Sequence, residues 1–225
     1  MVSAATKRLI GVGLYTPSEA SYFSRLMTQT VNRWLFGDAR FVPVLAPELD
    51  DDRIVTFLDF IQLHAIRRAR REDIPLHRIR KAIDRARVDF DLDFPLARDH
   101  RLVLYDRELF IEFPGKDTYQ LSGSQRGQML IREIAEPFLK YVDFGDEGLA
   151  EKFTIFKSHS RPIVMHPNHQ FGMPIVGNTG YRADVLFDSY KAEGSVQRAA
   201  DAYGVKRPDI HASIEFYDYL DSVAS

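Results

Sequence analysis

The chain has 225 residues, of which 45% are hydrophobic and 28% charged, and its formal net charge is −2. These values are ordinary for a soluble globular protein of one large or two modest domains. Because the chain has no cysteine, disulfides and thiolate zinc sites are excluded. No apolar run approaches the ~20 residues needed to span a bilayer, and we expect a cytoplasmic protein.

Charge is distributed unevenly along the chain. Residues 1–87 contain 15 basic and 10 acidic side chains, whereas residues 88–225 contain 15 basic and 22 acidic ones. The basic first part favours contact with a polyanion such as DNA, and the acidic second part favours a different kind of partner.

The first predicted elements are two short helices joined by a tight turn. Thr16 has the residue type of an N-cap, Pro17 suits the first helical position, and Glu19 completes a capping box. The second helix is predicted from about Thr28 to Phe36, before a terminating glycine.

The second helix is amphipathic. Val31, Trp34 and Leu35 form its apolar side, and its other side carries residue types that reach base edges and phosphates. We therefore predict a helix-turn-helix that binds DNA. Its candidate DNA-binding residues are Ser18, Arg25, Thr28, Gln29, Thr30, Asn32 and Arg33.

Two further helices are predicted after a short extended segment at Phe41–Leu45. Asp50–Asp52 would cap the first, apolar residues recur at helical spacing from Ile54, and Pro75 separates the second. Nine basic and three acidic residues lie between Arg67 and Arg87. Such a run is either a solvated helix face or, beside a helix-turn-helix, a phosphate-contacting surface. Its candidate DNA-binding residues are Arg67, Arg70 and Arg71.

The middle of the chain predicts a β-hairpin and then a helix. The hairpin combines Arg101–Tyr105 with Glu108–Phe113. The helix, capped by Ser122 or Ser124, would reach about Tyr141. Residues 143–148 then have the composition of an interdomain linker.

The C-terminal part begins with a predicted strand at Phe153–Lys157, and three helices follow a stretch rich in turn residues. Ser195 would cap the second of these helices, and Gly204 joins it to the third in a second helix-turn-helix-like unit. Exposed aromatic side chains here would form a protein-binding surface, or else fill a small core. These partner-binding candidates are Phe187, Tyr190, Tyr217 and Tyr219. A competing interpretation is that this unit binds DNA through Arg198, Lys206 and Arg207.

Signatures of catalysis are weak throughout the sequence. Gly172–Thr179 superficially resembles a phosphate-binding loop but lacks its lysine. His159, His166 and His169 match no standard metal-site spacing. We therefore expect neither an enzyme nor a bound metal or cofactor, and a carboxylate-dependent nuclease is the remaining catalytic alternative.

The first part of the chain resembles MerR-like regulators. Tyr15–Trp34 resembles their N-terminal helix-turn-helix, and Phe57–Leu63 and Ile74–Ile83 resemble the helices that follow it. In that family a glycine occupies the turn, whereas Arg25 stands there in this chain. Arg25 would have to accept a conformation that glycine adopts more easily.

The last part is similar to a widespread family of small bacterial antitoxin domains, long of unknown function. The matching residues are Gly172-Met-Pro-Ile-Val-Gly-Asn-Thr-Gly180, Glu193-Gly-Ser195 and Asp209-Ile-His-Ala-Ser-Ile-Glu-Phe-Tyr217. Together the two parts resemble a long VapB-type antitoxin. That resemblance implies a PIN-domain ribonuclease toxin as the partner.

We thus expect an α+β protein, mainly helical with a small amount of β-structure. Its expected domains are a winged helix-turn-helix with a β-hairpin at 1–121, a connecting helix and linker at 122–150, and a small helical antitoxin-like domain with a short β-hairpin at 151–225. The expected function is a homodimeric antitoxin that binds operator DNA, represses its own operon and neutralises the toxin. The alternative is a MerR-like transcriptional regulator with a ligand-sensing or dimerising C-terminal domain and no toxin partner.

Overall fold

The computed structural model describes residues 12–49, 53–90, 93–99, 101–105, 108–112, 118–120 and 140–222. The chain forms two compact units. We call Tyr15–Glu151 the N-terminal unit; the other unit, which we call the C-terminal unit, comprises the chain from Lys152 onward together with the segment that ends at Leu14. Helices and small antiparallel sheets make up both, so the predicted α+β class is confirmed. No helix in the described ranges is long and apolar enough to cross a membrane.

The N-terminal unit combines helices with short antiparallel strands. In chain order these are β1 (Leu14–Tyr15), α1 (Pro17–Ser24), α2 (Thr28–Leu35), β2 (Val55–Thr56), α3 (Phe57–Arg71), α4 (Leu76–Phe90), β3 (Arg101–Tyr105), β4 (Glu108–Glu112), β5 (Thr118–Gln120) and β6 (Val142–Phe144). Strand β1 pairs with β2, and β3, β4 and β5 form one antiparallel sheet in that order. The predicted hairpin of β3 and β4 is confirmed, with Leu102 opposite Ile111.

Helix α1 begins as the sequence predicts. Thr16 Oγ1 accepts a hydrogen bond from the Glu19 N–H at 3.1 Å, and Glu19 Oε2 accepts one from the Thr16 N–H at 2.8 Å. Pro17 occupies the first helical position. This reciprocal pair satisfies backbone donors that have no partner inside the helix.

Helix α3 begins later than predicted. The prediction that Asp50–Asp52 cap it is wrong, because the helix starts at Phe57 and its N-cap is Thr56. Thr56 Oγ1 accepts a hydrogen bond from the Asp59 N–H at 3.2 Å, which completes a second capping box. The two residues of β2 interrupt the apolar spacing that the sequence showed from Ile54.

The short extended segment predicted at Phe41–Leu45 belongs to a folded loop after α2. Asp38 and Phe41 form an isolated bridge. The N–H groups of Val44 and Leu45 both donate to the carbonyl of Trp34, at 2.8 and 2.9 Å. Both side chains are buried, so the loop contributes to the core of the N-terminal unit.

The predicted helix at residues 122–141 lies, up to residue 139, outside the described residues. Lys140 and Tyr141 form a turn that leads into β6. In the predicted linker at 143–148, β6 ends and a tight turn follows, in which the Gly145 N–H donates to the Leu149 carbonyl at 2.9 Å.

The C-terminal unit packs three helices against short strands. Its elements are β7 (Ala150–Lys157), which begins in the N-terminal unit, β8 (Pro162–Met165), β9 (Ile175–Val176), α5 (Ala183–Glu193), α6 (Val196–Tyr203) and α7 (Arg207–Asp221). Strand β8 pairs antiparallel with β7 and β9. Met165, Leu186, Ile210 and Phe216 are completely buried and form its core. Ser195 caps α6, as predicted.

Candidate nucleic-acid interface

The turn between α1 and α2 has a defined backbone geometry. Arg25 ends α1 in the left-handed conformation, with φ 54° and ψ 39°. Its N–H donates to the Tyr22 carbonyl at 3.2 Å, and the Leu26 N–H donates to the Ser21 carbonyl at 3.1 Å. These are the hydrogen bonds of a Schellman cap, in which the left-handed residue is usually glycine. The prediction that Arg25 adopts a conformation suited to glycine is therefore confirmed.

Hydroxyl groups brace the same turn. Ser21 Oγ donates to the Leu26 carbonyl at 2.6 Å, and Thr28 Oγ1 donates to Ser21 Oγ at 3.0 Å. Ser24 is fully buried and its Oγ donates back to the Ser21 carbonyl at 3.3 Å. These bonds fix how α2 leaves α1, and so they orient the outward side of α2.

The predicted apolar side of α2 is confirmed. Val31, Trp34 and Leu35 are buried, and Ala20 and Phe23 of α1 are buried as well. The opposite side begins with Thr28 and Gln29, both exposed, and Ser18 of α1 is also exposed. These three side chains are the candidate DNA-binding residues of the helix pair that lie open to solvent.

The other candidates on α2 have partners inside the protein. Thr30, Asn32 and Arg33 are half-buried. Asn32 Nδ2 donates to the Thr28 carbonyl at 3.0 Å. The Arg33 guanidinium lies 4.1 Å from the centre of the Phe41 ring, and its Nε lies 4.0 Å from Asp38 Oδ2. The structure thus gives Asn32 and Arg33 an intramolecular role as well.

The loop after α2 presents an exposed apolar surface that the sequence analysis missed. Asp38 Oδ1 accepts hydrogen bonds from the N–H groups of Arg40 and Phe41, at 2.8 and 3.0 Å. Phe41 is 44% exposed and Val42 is 72% exposed. Gly37, with φ 67°, is required because a Cβ there would lie 2.6 Å from the Phe41 carbonyl oxygen. Gly37 followed by aspartate was the available signal for an ordered turn.

Part of the basic run stabilises the end of α3. Arg70 Nη1 donates to the Ile74 carbonyl at 2.7 Å. Arg68 Nη2 lies 2.7 Å from Glu72 Oε1, one helical turn away. Arg70, a predicted DNA-binding residue, therefore also has a structural role, because it binds a carbonyl at the end of the helix.

Two basic side chains of α4 hold the loops that precede α3. Arg80 Nη2 donates to the Val42 carbonyl at 2.7 Å, and Arg87 Nη2 donates to the Ala46 carbonyl at 3.4 Å. These bonds join residues far apart in sequence. The basic run is therefore partly a set of internal braces and not a uniform phosphate-contacting surface.

Arg67 and Arg71 give the end of α3 a positive potential. Arg71 is exposed and Arg67 is half-buried. Burial, together with the charges of Arg67 and Arg71, lowers the pKa of His64 to about 3. His64 is thus neutral at physiological pH, and the positive charge of this end of α3 belongs to the arginines.

The aromatic candidates of the C-terminal unit are half-buried. Phe187 of α5 stacks on Tyr217 of α7, with ring centres 4.6 Å apart and planes 12° from parallel. Tyr219 stacks on Phe156 at 5.0 Å. Tyr190 is likewise half-buried on α5. Three of the four predicted partner-binding side chains therefore also stabilise the unit in which they lie.

The histidines of the C-terminal unit make ordinary local contacts. The rings of His166 and His169 meet edge to face at 4.7 Å, and the His169 N–H donates to the His166 carbonyl at 2.9 Å. His159 Nδ1 lies 3.4 Å from Glu215 Oε2. No group of three metal-ligating side chains occurs within the described ranges.

The described residues form an α+β chain in which two short helices, α1 and α2, are joined by a tight turn. In an alignment of 241 positions, gaps included, the chain is 27% identical to "Putative antitoxin VapB45" of Mycobacterium tuberculosis (strain ATCC 25618 / H37Rv), and the alignment covers 95% of each protein. The crystal structure of Rv2018 from Mycobacterium tuberculosis has a TM-score of 0.65 and 20% identity, covering 91% of this chain and 99% of that one. No family model matches the chain. The chain is therefore a distant homologue of a protein named as an antitoxin, and it shares its fold with the solved structure.

Proposed function

We propose that this chain is the antitoxin of a toxin–antitoxin pair, that it binds operator DNA through α1 and α2, and that its C-terminal unit neutralises a PIN-domain ribonuclease. The antitoxin role rests on the similarity to the VapB45 protein along nearly the whole chain. The pairing with a PIN-domain toxin rests on the resemblance of residues 172–217 to antitoxin domains. On this proposal the chain is a regulator and not an enzyme.

The observation that carries DNA binding is the geometry of the α1–α2 pair. The Schellman cap at Arg25 and the Ser21–Thr28 hydrogen bond fix the two helices. The first turn of α2 then offers Thr28 and Gln29 to solvent. In a helix-turn-helix, the N-terminal residues of the second helix contact base edges in the major groove.

Phosphate contacts would come from the exposed basic side chains of the N-terminal unit. Arg71 is open to solvent at the end of α3, and its charge and that of Arg67 help to lower the pKa of half-buried His64. Such contacts supply affinity without sequence preference, because they neutralise the backbone charge. Base contacts from α2 would add the preference for an operator.

The protein would act as a homodimer. A single short recognition helix reads too few base pairs for useful specificity, and dimers of this class bind two half-sites about one helical turn apart. Sedimentation of the free protein and of its complex with DNA measures this directly. A monomer that binds one half-site tightly would contradict the dimer.

Substitution of Gln29 tests the DNA interface. Gln29→Ala is expected to weaken binding to the upstream region of the chain's own operon by about 1–3 kcal/mol for each base whose hydrogen bonds it removes. Binding to a mixed-sequence duplex should be unchanged. Asn168→Ala is the matched control, because it removes another exposed amide from a turn outside the helix pairs. Equal operator affinity of both variants in a gel-shift titration would reject α2 as the reading helix.

Co-expression tests the antitoxin role. The chain should co-purify with the product of an adjacent reading frame that carries PIN-type acidic residues, and it should suppress the ribonuclease activity of that product. A sequence-specific DNA-binding protein that leaves the neighbouring nuclease active would instead support a transcriptional regulator without a toxin.

A further inference from the structure

We infer that α6 and α7 form a second DNA-binding helix-turn-helix, so that each chain contacts duplex DNA through two helix pairs. This goes beyond the proposed function, which assigns DNA contact to the N-terminal unit. The inference rests on the turn between α6 and α7, on the side chains exposed at the start of α7, and on a groove beside that start whose lining includes cationic, amide and hydroxyl groups.

The two helix pairs share one backbone design. Helices α1 and α6 each have eight residues, and each ends at a residue in the left-handed conformation. That residue is Arg25 in the first pair and Gly204 in the second, with φ 54° and φ 63°. The next N–H donates to the carbonyl five residues back, at 3.1 and 3.0 Å. In both pairs the second helix begins three residues after the turn residue.

The side chains at the helix crossing also fit a helix-turn-helix. Ala199 and Ala200 of α6 are buried, and their small size lets α7 pass close to the α6 backbone. Gly204 adopts its left-handed conformation at no steric cost. Ile210 of α7 is completely buried, at the position equivalent to buried Val31 of α2. A glycine turn between a short helix and a second, longer one is typical of this motif.

Basic side chains are exposed at the start of α7. Lys206, Arg207 and His211 are all open to solvent. The acidic residues Asp218 and Asp221 are exposed on the same helix but belong to its last turns. The acidic balance of the C-terminal half of the sequence therefore does not extend to the end of α7 that would enter a DNA groove.

A groove of about 550 Å³ with a mixed polar and apolar lining lies beside the first turn of α7. Its lining includes Arg161, Asn178, Tyr181, Tyr203 and Lys206. Cationic, amide and hydroxyl donors of this kind make most phosphate contacts in protein–DNA complexes. Buried Asp209 also lines the groove, but its charge is compensated, since Oδ1 lies 3.2 Å from Arg161 Nε and Oδ2 accepts the Lys206 N–H at 2.8 Å.

These features favour duplex DNA over other anionic partners. A protein helix fits the major groove of B-form DNA, whereas the major groove of A-form RNA is too narrow for it. Glu215, one turn beyond His211, does not oppose this placement, because it accepts the His159 N–H at 3.1 Å and lies beside the His159 ring. Tyr217, farther along α7, stacks on Phe187 of α5.

Salt-dependent binding of the full-length chain tests the inference. The probes are two fluorescent duplexes of about 30 bp, one from upstream of the chain's own reading frame and one of mixed sequence, each long enough for two half-sites. Between about 50 and 200 mM salt, the slope of log affinity against log salt decreases by about 0.9 for each phosphate that the protein no longer neutralises. Lys206→Ala/Arg207→Ala should therefore reduce the slope by about 1.8 per protomer on both duplexes.

Lys191→Ala is the charge control, because Lys191 is exposed on α5 and pairs with Asp188 at 2.7 Å. It should leave the slope unchanged. A double variant with the slope and affinity of the unaltered chain would overturn the inference, and so would an equal effect on an A-form RNA duplex. Gln29→Ala separates the two claims. Gln29→Ala could lose the preference for the operator while Lys206→Ala/Arg207→Ala keeps the affinity and salt slope of the unaltered chain. That result would support the proposed function and reject DNA binding by α6 and α7.

Discussion

Asp59 and Thr56 form a fully buried reciprocal pair of hydrogen bonds at the start of α3. Asp59 Oδ2 accepts the Thr56 N–H at 3.2 Å, and Thr56 Oγ1 accepts the Asp59 N–H at 3.2 Å. Burial raises the pKa of Asp59 to about 6, although hydrogen bonds from Thr56 and Glu48 oppose the increase. A carboxyl group is therefore held at a helix N-terminus in an environment that disfavours its charge.

The first prediction is a stability that falls as pH rises through the titration of Asp59. The unfolded carboxyl titrates near 3.8, so from there to about 6 the native state retains a proton that the unfolded state has released. The free energy of unfolding should decrease across this window by up to ~3 kcal/mol, at about 1.4 kcal/mol per pH unit, and then level off. Urea denaturation at several pH values measures this.

Asp59→Asn should remove that contribution, because an amide does not titrate. Its unfolding free energy is expected to vary less between pH 4 and 6 than that of the unaltered chain. Asp218→Asn, at an exposed position of α7, is the control. Parallel pH profiles for Asp59→Asn and the unaltered chain would show that Asp59 does not titrate in this range.

The second prediction concerns the two left-handed turn residues. Arg25→Gly should stabilise the protein by about 0.5–1 kcal/mol, because relief of left-handed strain of ~1–2 kcal/mol exceeds the added backbone entropy of glycine in the unfolded chain. Gly204→Ala should destabilise by about 1 kcal/mol through backbone strain alone, since no atom lies within 4 Å of the new Cβ.

Ala192→Gly, at an exposed helical position of α5, is the control for glycine itself and should destabilise the protein by up to ~1 kcal/mol. Chemical denaturation of the three variants gives the comparison. Destabilisation by Arg25→Gly would mean that contacts of the arginine side chain outweigh its backbone strain.

The third prediction separates binding from structure within the basic run. Arg71→Ala should reduce the salt slope of DNA binding by about 0.9 without a change in stability, because Arg71 is exposed. Arg70→Ala should lower the free energy of unfolding by about 1 kcal/mol, because it removes the hydrogen bond to the Ile74 carbonyl. Fluorescence anisotropy and denaturation of both variants give the answer. Identical effects of the two substitutions would contradict this division of roles.

The fourth prediction concerns the aromatic side chains of the C-terminal unit. Tyr217→Ala should lower stability by at least ~0.5–1.5 kcal/mol, because it removes the stack on Phe187. Tyr190→Ala should instead weaken toxin binding by ~2 kcal/mol or more if Tyr190 is a central anchor of the interface. Titration calorimetry with the purified neighbouring gene product measures the second effect. Unchanged toxin affinity in Tyr190→Ala would exclude that residue as an anchor.

Local signals in the sequence were sufficient for the elements that depend on neighbouring residues. The capping box of Thr16 and Glu19, the apolar side of α2 and the cap at Ser195 were all predicted and are all confirmed. Each depends on groups three or four positions apart, whose meeting follows from the geometry of the helix itself. The prediction for Asp50–Asp52 was wrong because β2 pairs with β1, a strand distant in sequence.

Tertiary structure alone decided which polar side chains are open to a partner. Nothing near Arg80 or Arg87 in sequence indicates that they brace loops about 40 residues earlier, and the α2 pattern alone does not distinguish exposed Gln29 from Arg33 over the Phe41 ring. Long side chains take whichever acceptor or ring the packed fold brings near them. Helical periodicity therefore determined the two helix pairs, whereas long-range packing determined which of their charged side chains remain open to solvent.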